Sequence, residues 1–461
     1  MMHPNSPPRN RAVRPSRLRS GTWMGLLLSL LLWGGYSTGD WLLRDPNFPT
    51  STLNLIHGVR SLFPLLAGWL GIMVILCRTT IGLSVFDGPL GLMGLFTMIG
   101  TISAFVSLDP IAALYWAASF GAVLAVSFAA LSIDDPLESL SWMHYLNVVI
   151  CAVFVLSVLA SIPYLRDLAG RPIGGGAFQL GQGRFVTRPI LGMYGTRNTG
   201  LARYAAVLGL AAMARLWGGK KGFWQKLVWL ALLWVSIYTL YKAQGRTAIA
   251  GFIVGVWVIL WSAHARRAIV LPAAMVGAAI LYLFSFQSAF WHYLNAGKEF
   301  DPTLSGRTAT WQEGWELLQQ SPLIGVGFQG DRIFLAGAHM HDGLLEVLVQ
   351  AGVLGAIAWL GALLLTWILV FRLYHRRPSP DSVPLPADVP GILAFLTIGG
   401  IAESNFAYFS VAWLIGAPLM GYVQCVAWRR RVLHSPPAKA ARQTRPRFAQ
   451  PELATRGSGK A

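Results

Sequence analysis

Acidic side chains and cysteines are scarce in this chain. Aspartate and glutamate together number 19 against 37 lysines and arginines, and charged residues are only 12% of 461. An ordinary soluble domain carries roughly a quarter charged residues, so a soluble globular protein is excluded. The longer hydrophilic segments contain no Asp-x-Asp pattern of the kind that holds a catalytic metal. Three cysteines, Cys77, Cys151 and Cys425, lie within or at the ends of apolar stretches without CxxC spacing. They read as small core residues, neither disulfide partners nor metal ligands. No convincing internal repeat is visible, and no polar block is long enough to fold as a separate globular unit.

What the chain has in abundance is apolar surface, with 54% hydrophobic residues and a mean hydropathy of +0.52. The apolar residues gather in blocks of about 17 to 25, the length a helix needs to cross hydrocarbon. The expected fold is all-α and polytopic, with about twelve membrane spans. The first block, near Trp23 to Tyr36, follows a basic segment as a signal peptide would, but no small-x-small cleavage site follows, so an uncleaved span is expected. Further spans are expected near 61–77, 89–108, 111–132, 142–162, 199–217, 224–243, 247–263, 268–287, 347–371, 389–403 and 405–427. Residues 1–20 and 429–461 read as disordered basic tails flanking one membrane domain, 21–428.

The net charge of +18 invites a nucleic-acid reading, but no aromatic and basic surface motif accompanies it. The basic residues instead flank the spans: Arg9, Arg11, Arg14, Arg17 and Arg19 at the start; Arg78; Arg215, Lys220, Lys221 and Lys226; Arg266 and Arg267; Arg372, Arg376 and Arg377; and Arg429 to Arg431. This is the positive-inside pattern, with attraction to anionic membrane lipids. It places both termini in the cytoplasm. One connection, carrying Asp134, Asp135 and Glu138, has no basic residue, but acidic residues contribute little to orientation. The opposite face then holds two large loops, 163–198 and 288–346, and a tight turn at Gln244–Thr247. Arg166, Arg171, Arg184, Arg188, Arg197, Arg246, Arg307 and Arg332 all fall on that face, where orientation does not account for them.

Three segments there have chemical possibilities. Arg246 either snorkels to lipid phosphate or points its planar fork into a polar cavity, where it matches phosphate oxygens. The stretch from Ser305 reads as a capped helix with Arg307, Trp311 and Leu318 on one face, ended by Pro322 and the Gly325-Val326-Gly327 turn. Such a helix either lies at the interface without chemistry or offers Arg307 and its first-turn N–H groups to an anion. His339 and His341 match no strong zinc spacing, so no metal is expected. One imidazole can serve as general base, with Asp342 and Glu346 as candidates to orient it.

In these segments the chain resembles the O-antigen ligase and O-antigen polymerase superfamily of bacterial envelope membrane enzymes. The resemblance rests on Tyr194-Gly195-Thr196-Arg197-Asn198, the Gly-Arg-Thr turn at Arg246 and the Ser-Gly-Arg-x-x-x-Trp helix at Arg307. It continues through Ser321-Pro322-Leu323-Ile324-Gly325-Val326-Gly327 and His341-Asp342-Gly343-Leu344-Leu345, with Gly352 and Gly355 beyond. The order of these motifs, over about residues 190 to 360, carries the likeness. The chain departs from the family at Asp342, where asparagine is usual, and at Gly245, where serine is frequent.

The resemblance implies a GT-C-type, metal-independent, inverting glycosyltransferase of the bacterial inner membrane, without cofactor. A ligase would move a glycan from undecaprenyl pyrophosphate to a hydroxyl of the lipid A core oligosaccharide in the periplasm. It implies His341 as base and Arg246 and Arg307 as ligands of the pyrophosphate. Arg184, Arg188, Arg197, Asn198 and His339 are candidates for additional substrate contacts. A polymerase of O-antigen or exopolysaccharide is the alternative within the superfamily. A transporter of the lipid-linked glycan is a third reading, but it predicts inverted repeats and mid-membrane ionisable residues.

Overall fold

The computed structural model describes residues 20–36, 59–77, 86–133, 135–168, 198–218, 222–243, 245–263, 307–335, 339–375 and 385–434. Among the described residues the protein is all-helical, with no strands. In chain order the helices are α1 (Ser20–Gly35), α2 (Phe63–Cys77), α3 (Pro89–Ser103), α4 (Pro110–Leu131), α5 (Pro136–Leu168), α6 (Asn198–Trp217) and α7 (Phe223–Ala243). They continue with α8 (Arg246–Ala263), α9 (Arg307–Gln320), α10 (Gly330–Phe334), α11 (Gly343–His375), α12 (Asp388–Glu403) and α13 (Val411–His434). Six helices are long and apolar enough to cross a membrane, and shorter apolar helices cover 21–35, 63–77 and 246–262. Eleven of the expected spans fall on these helices, with ends that differ by up to seven residues; the twelfth, near 268–287, lies outside the described residues.

The helix starts follow local chemistry. Proline occupies the first position of α3, α4 and α5, where its missing N–H has no intrahelical partner to lose. Asp109 caps α4 by accepting from the Ala112 N–H at 3.0 Å. The core is built around α13, whose apolar window is 94% buried, so other helices surround it on all sides. Its Trp413 stacks on Phe120 of α4 at 4.3 Å and donates its indole N–H to the Phe120 carbonyl at 3.0 Å. Phe96 and Phe328 complete this aromatic cluster. Cys151 and Cys425 are buried, as expected for core residues; Cys77, at the end of α2, is instead exposed.

One pair of helices is joined by ions at both ends. Arg203 of α6 meets Glu403 of α12 at 2.6 Å, and Arg215 of α6 approaches Asp388 of α12 at 3.7 Å. These arginines stand about 18 Å apart along α6, a large part of a hydrocarbon thickness. His144 of α5 joins the Asp388 end at 3.1 Å. At the start of α5, Arg429 lies 3.8 Å from Asp135, so the connection without basic residues receives one from the final helix.

Helix α11 is interrupted by design of its sequence. Gly352 adopts φ 63° and ψ −167°, a conformation open to glycine and strained for other residues. The gap admits the Pro322–Gly327 backbone: the N–H groups of Val353 and Leu354 donate to the Pro322 and Leu323 carbonyls. In return, Val326 and Gly327 donate to the Val349 and Gln350 carbonyls at 2.8 and 3.0 Å. A Cβ on Gly352 would lie 2.2 Å from the Leu323 carbonyl carbon. Two segments distant in sequence are thereby locked together just beyond the histidines.

Candidate functional site

The helix ends that meet at the Arg203–Glu403 end carry the residues singled out in the sequence. Gly245 leads directly into α8, so Arg246 is its first residue, exposed, with Thr247 next to it. The Thr247 side chain hydrogen-bonds Glu403 at the last position of α12, and His341 interacts electrostatically with the same carboxylate. Gly245–Thr247, the end of α12 and the His341 segment therefore share one corner of the molecule.

The His341 segment is positioned by contacts on three sides. His341 itself has φ 52°, in the left-handed region, which reverses the chain before α11. Asp342 then caps the helix, accepting from the Leu345 N–H at 2.8 Å. Gly343 allows α11 to start against α12; a Cβ there would sit 1.8 Å from the Gly400 carbonyl oxygen. On the third side, the Trp311 indole donates to the Met340 carbonyl at 2.7 Å, and Gly314 makes room for the Met340 thioether. Arg307, half-buried, begins α9 one turn before Trp311. The two candidate arginines and His341 thus occur on elements that converge at one end.

Of the two candidates to orient the base, Asp342 is engaged as a helix cap, and Glu346 approaches the other histidine, with Oε2 3.3 Å from His339 Nδ1. A carboxylate within electrostatic reach of His341 is Glu403, which the sequence reading missed. Its signal was an acidic residue at the end of an otherwise apolar span, matched by Arg203 in another. His339 and His341 are not alternatives in space: their rings stack at 4.4 Å, and Tyr408 meets His339 edge-on at 5.7 Å. Arg332 lies over the Tyr408 ring at 5.0 Å. Burial holds the His339 imidazole below the ordinary histidine value, opposed by the Asp331 carboxylate. The neutral imidazole is therefore the favoured state.

Asn198 is the first residue of α6. Arg184, Arg188 and Arg197 lie outside the described residues, as does Ser305, the expected cap of α9.

The helices, their apolar lengths and the polar corner define a multi-pass membrane protein. Residues 231–360 match the O-antigen ligase family, a stretch that runs from α7 through the break in α11. The chain is also 27% identical over 297 residues to the exopolysaccharide production protein ExoQ of Rhizobium meliloti (strain 1021). That alignment covers 57% of this chain and 66% of the relative, slightly under two thirds of its length. Both matches are similarities to the O-antigen ligase and polymerase superfamily, the same likeness that the order of the motifs carries.

Proposed function

We propose that this protein is an O-antigen ligase, transferring a glycan from undecaprenyl pyrophosphate to a hydroxyl of the lipid A core oligosaccharide. The carrying observation is the convergence of α8, α9 and the His341 segment, which brings the elements bearing Arg246, Arg307 and His341 to one corner. In this reading the corner faces the periplasm of the bacterial inner membrane, both termini are cytoplasmic, and the fold is a GT-C-type scaffold.

His341 accepts the proton of the acceptor hydroxyl as that oxygen attacks the anomeric carbon. The carbon–oxygen bond to the pyrophosphate breaks on the opposite face, so the configuration inverts. Arg246 and Arg307 hold the diphosphate and stabilise the charge that it gains on leaving, the term that fixed cations in a shielded site supply best. Guanidinium groups suit this task because their planar forks pair with phosphate oxygens. Glu403 keeps the His341 ring oriented and stabilises the imidazolium formed, while Arg203 and Thr247 hold that carboxylate in place. The substrate-contact roles of Arg184, Arg188, Arg197, Asn198 and His339 remain part of the same proposal.

The second reading is a polymerase, favoured by the name of the relative, which assigns that protein to exopolysaccharide production. Both reactions need the same donor and the same activated hydroxyl; they differ in the acceptor. Purified protein supplied with a prenyl-pyrophosphate-linked glycan and lipid A core should yield glycosylated core. Chain extension with donor alone would replace the ligase by the polymerase, and translocation without bond formation would remove both. Arg246→Ala, Arg307→Ala and His341→Ala should each abolish transfer while the protein still accumulates, and His339→Ala should be milder. Wild-type transfer by all three would remove the assigned site.

A further inference from the structure

Beside the proposed base is a second constellation, whose two carboxylates have no part in the proposed glycan transfer. Asp331 of α10, His339 and Glu346 of α11 direct one ligand atom each into a common point, all within 4.8 Å of one another. His339 Nδ1 is 3.3 Å from Glu346 Oε2 and 3.7 Å from Asp331 Oδ2. Both carboxylate side chains are fully buried. Neither Asp331 oxygen, nor Glu346 Oε2, is paired in good hydrogen-bond geometry, although the Ser404 hydroxyl neighbours Glu346 and the His339 ring neighbours Asp331. Unsatisfied carboxylate oxygens in such a place are costly, and each unpaired group calls for a compensating partner.

The arrangement also has direction. Gln350 Nε2 donates to Glu346 Oε1 at 3.0 Å, which satisfies that oxygen and leaves Oε2 turned toward His339. The His341 backbone N–H reaches His339 Nδ1 at 3.5 Å, treating that nitrogen as a lone-pair acceptor. In the tautomer with Nδ1 unprotonated, three electron-rich atoms face one another; with Nδ1 protonated, the ring donates to a carboxylate instead. Arg332 interacts with both carboxylates from the Tyr408 side and balances one of their two charges. A proton on the second carboxylate is the competing way to neutralise the remainder.

We infer that Asp331, His339 and Glu346 form a divalent-cation site. Ligands about 2.1 Å from a tetrahedral ion lie about 3.4 Å apart, close to the two separations from Nδ1. One imidazole and two carboxylates suit a borderline ion such as Zn2+ or Mn2+ better than the softer or all-oxygen alternatives. The ion ties α10, the 339–341 segment and the start of α11 into one unit. Because His341 stacks on the His339 ring, the ion positions the base without touching the pyrophosphate.

Full-length protein in detergent, with any affinity tag removed and stripped by chelator, would be titrated with ZnCl2 and with MnCl2 by calorimetry. Wild type should take up one equivalent of one of these ions, and its melting temperature should rise with free ion. Asp331→Asn and Glu346→Gln should each bind at least about 100-fold more weakly, since each replaces an anionic ligand oxygen by that of a neutral amide. Absence of saturable binding, or binding unchanged in both variants, overturns the site. So does a Glu346→Gln protein that is more stable than wild type with no ion bound, which identifies a buried proton instead. X-ray absorption of the zinc-loaded wild type keeps the test independent of variant folding: one imidazole with oxygen ligands is expected, and a shell with thiolate or without nitrogen refutes it. No glycan donor enters these measurements, so their outcome is separable from transfer activity.

Discussion

Replacing Arg203 by methionine should leave Glu403 as a buried charge without its counterion, and the cost can be worked from the geometry. The guanidinium and carboxylate are 2.6 Å apart, with side chains 20% and 14% exposed. At an effective dielectric constant of about 20, their attraction is about 6 kcal/mol before desolvation is counted. Removing one member of such a pair costs roughly 3–5 kcal/mol, because the other charge stays in a poorly solvating environment. Thr247 still donates to Glu403, so the lower part of that range is expected. Denaturant-induced unfolding in detergent micelles reads the loss. Arg203→Met/Glu403→Leu should recover to within about 1 kcal/mol of wild type, since an apolar pair of similar bulk often replaces a buried ion pair without penalty. Transfer should remain low in the double variant, because the carboxylate proposed to orient His341 is gone. Unfolding of Arg203→Met at the wild-type denaturant concentration, or a double variant as unstable as the single, would refute the reasoning.

The break in α11 gives a sharper structural test. Gly352→Ala places a side chain in a backbone conformation that costs about 1–3 kcal/mol. It also forces a Cβ against the Leu323 carbonyl, so greatly reduced membrane accumulation and faster proteolysis are expected; wild-type resistance to protease would count against the locked-turn account. Trp311→Phe keeps most of the packing of α9 but removes the bond to the Met340 carbonyl, a loss of about 1 kcal/mol. Transfer should slow with little change in protein amount, and an unchanged rate would mean that α9 does not position the His341 segment.

The membrane architecture was legible in the sequence because it follows from one local requirement. A backbone in hydrocarbon must satisfy its own hydrogen bonds, so every span announces itself as an apolar block of helical length. The same economy marked Arg246, Arg307 and His341, since polar residues beside such blocks carry a cost that invites an explanation. Gly352 was visible at its spacing after His341, but its purpose was not: the partner that enters the gap is a turn some 25–30 residues earlier in the chain.

Composition and periodicity by themselves determined that this is a helical, multi-pass membrane protein, and the order of its motifs carried the likeness to the superfamily. Pairing was decided only by the tertiary structure. Glu403 belongs to Arg203, Asp342 to the start of its own helix, and Glu346 to His339. The physical reason is range: burial in a membrane is a property of each segment alone, whereas an ion pair depends on two side chains that meet only when the helices have packed.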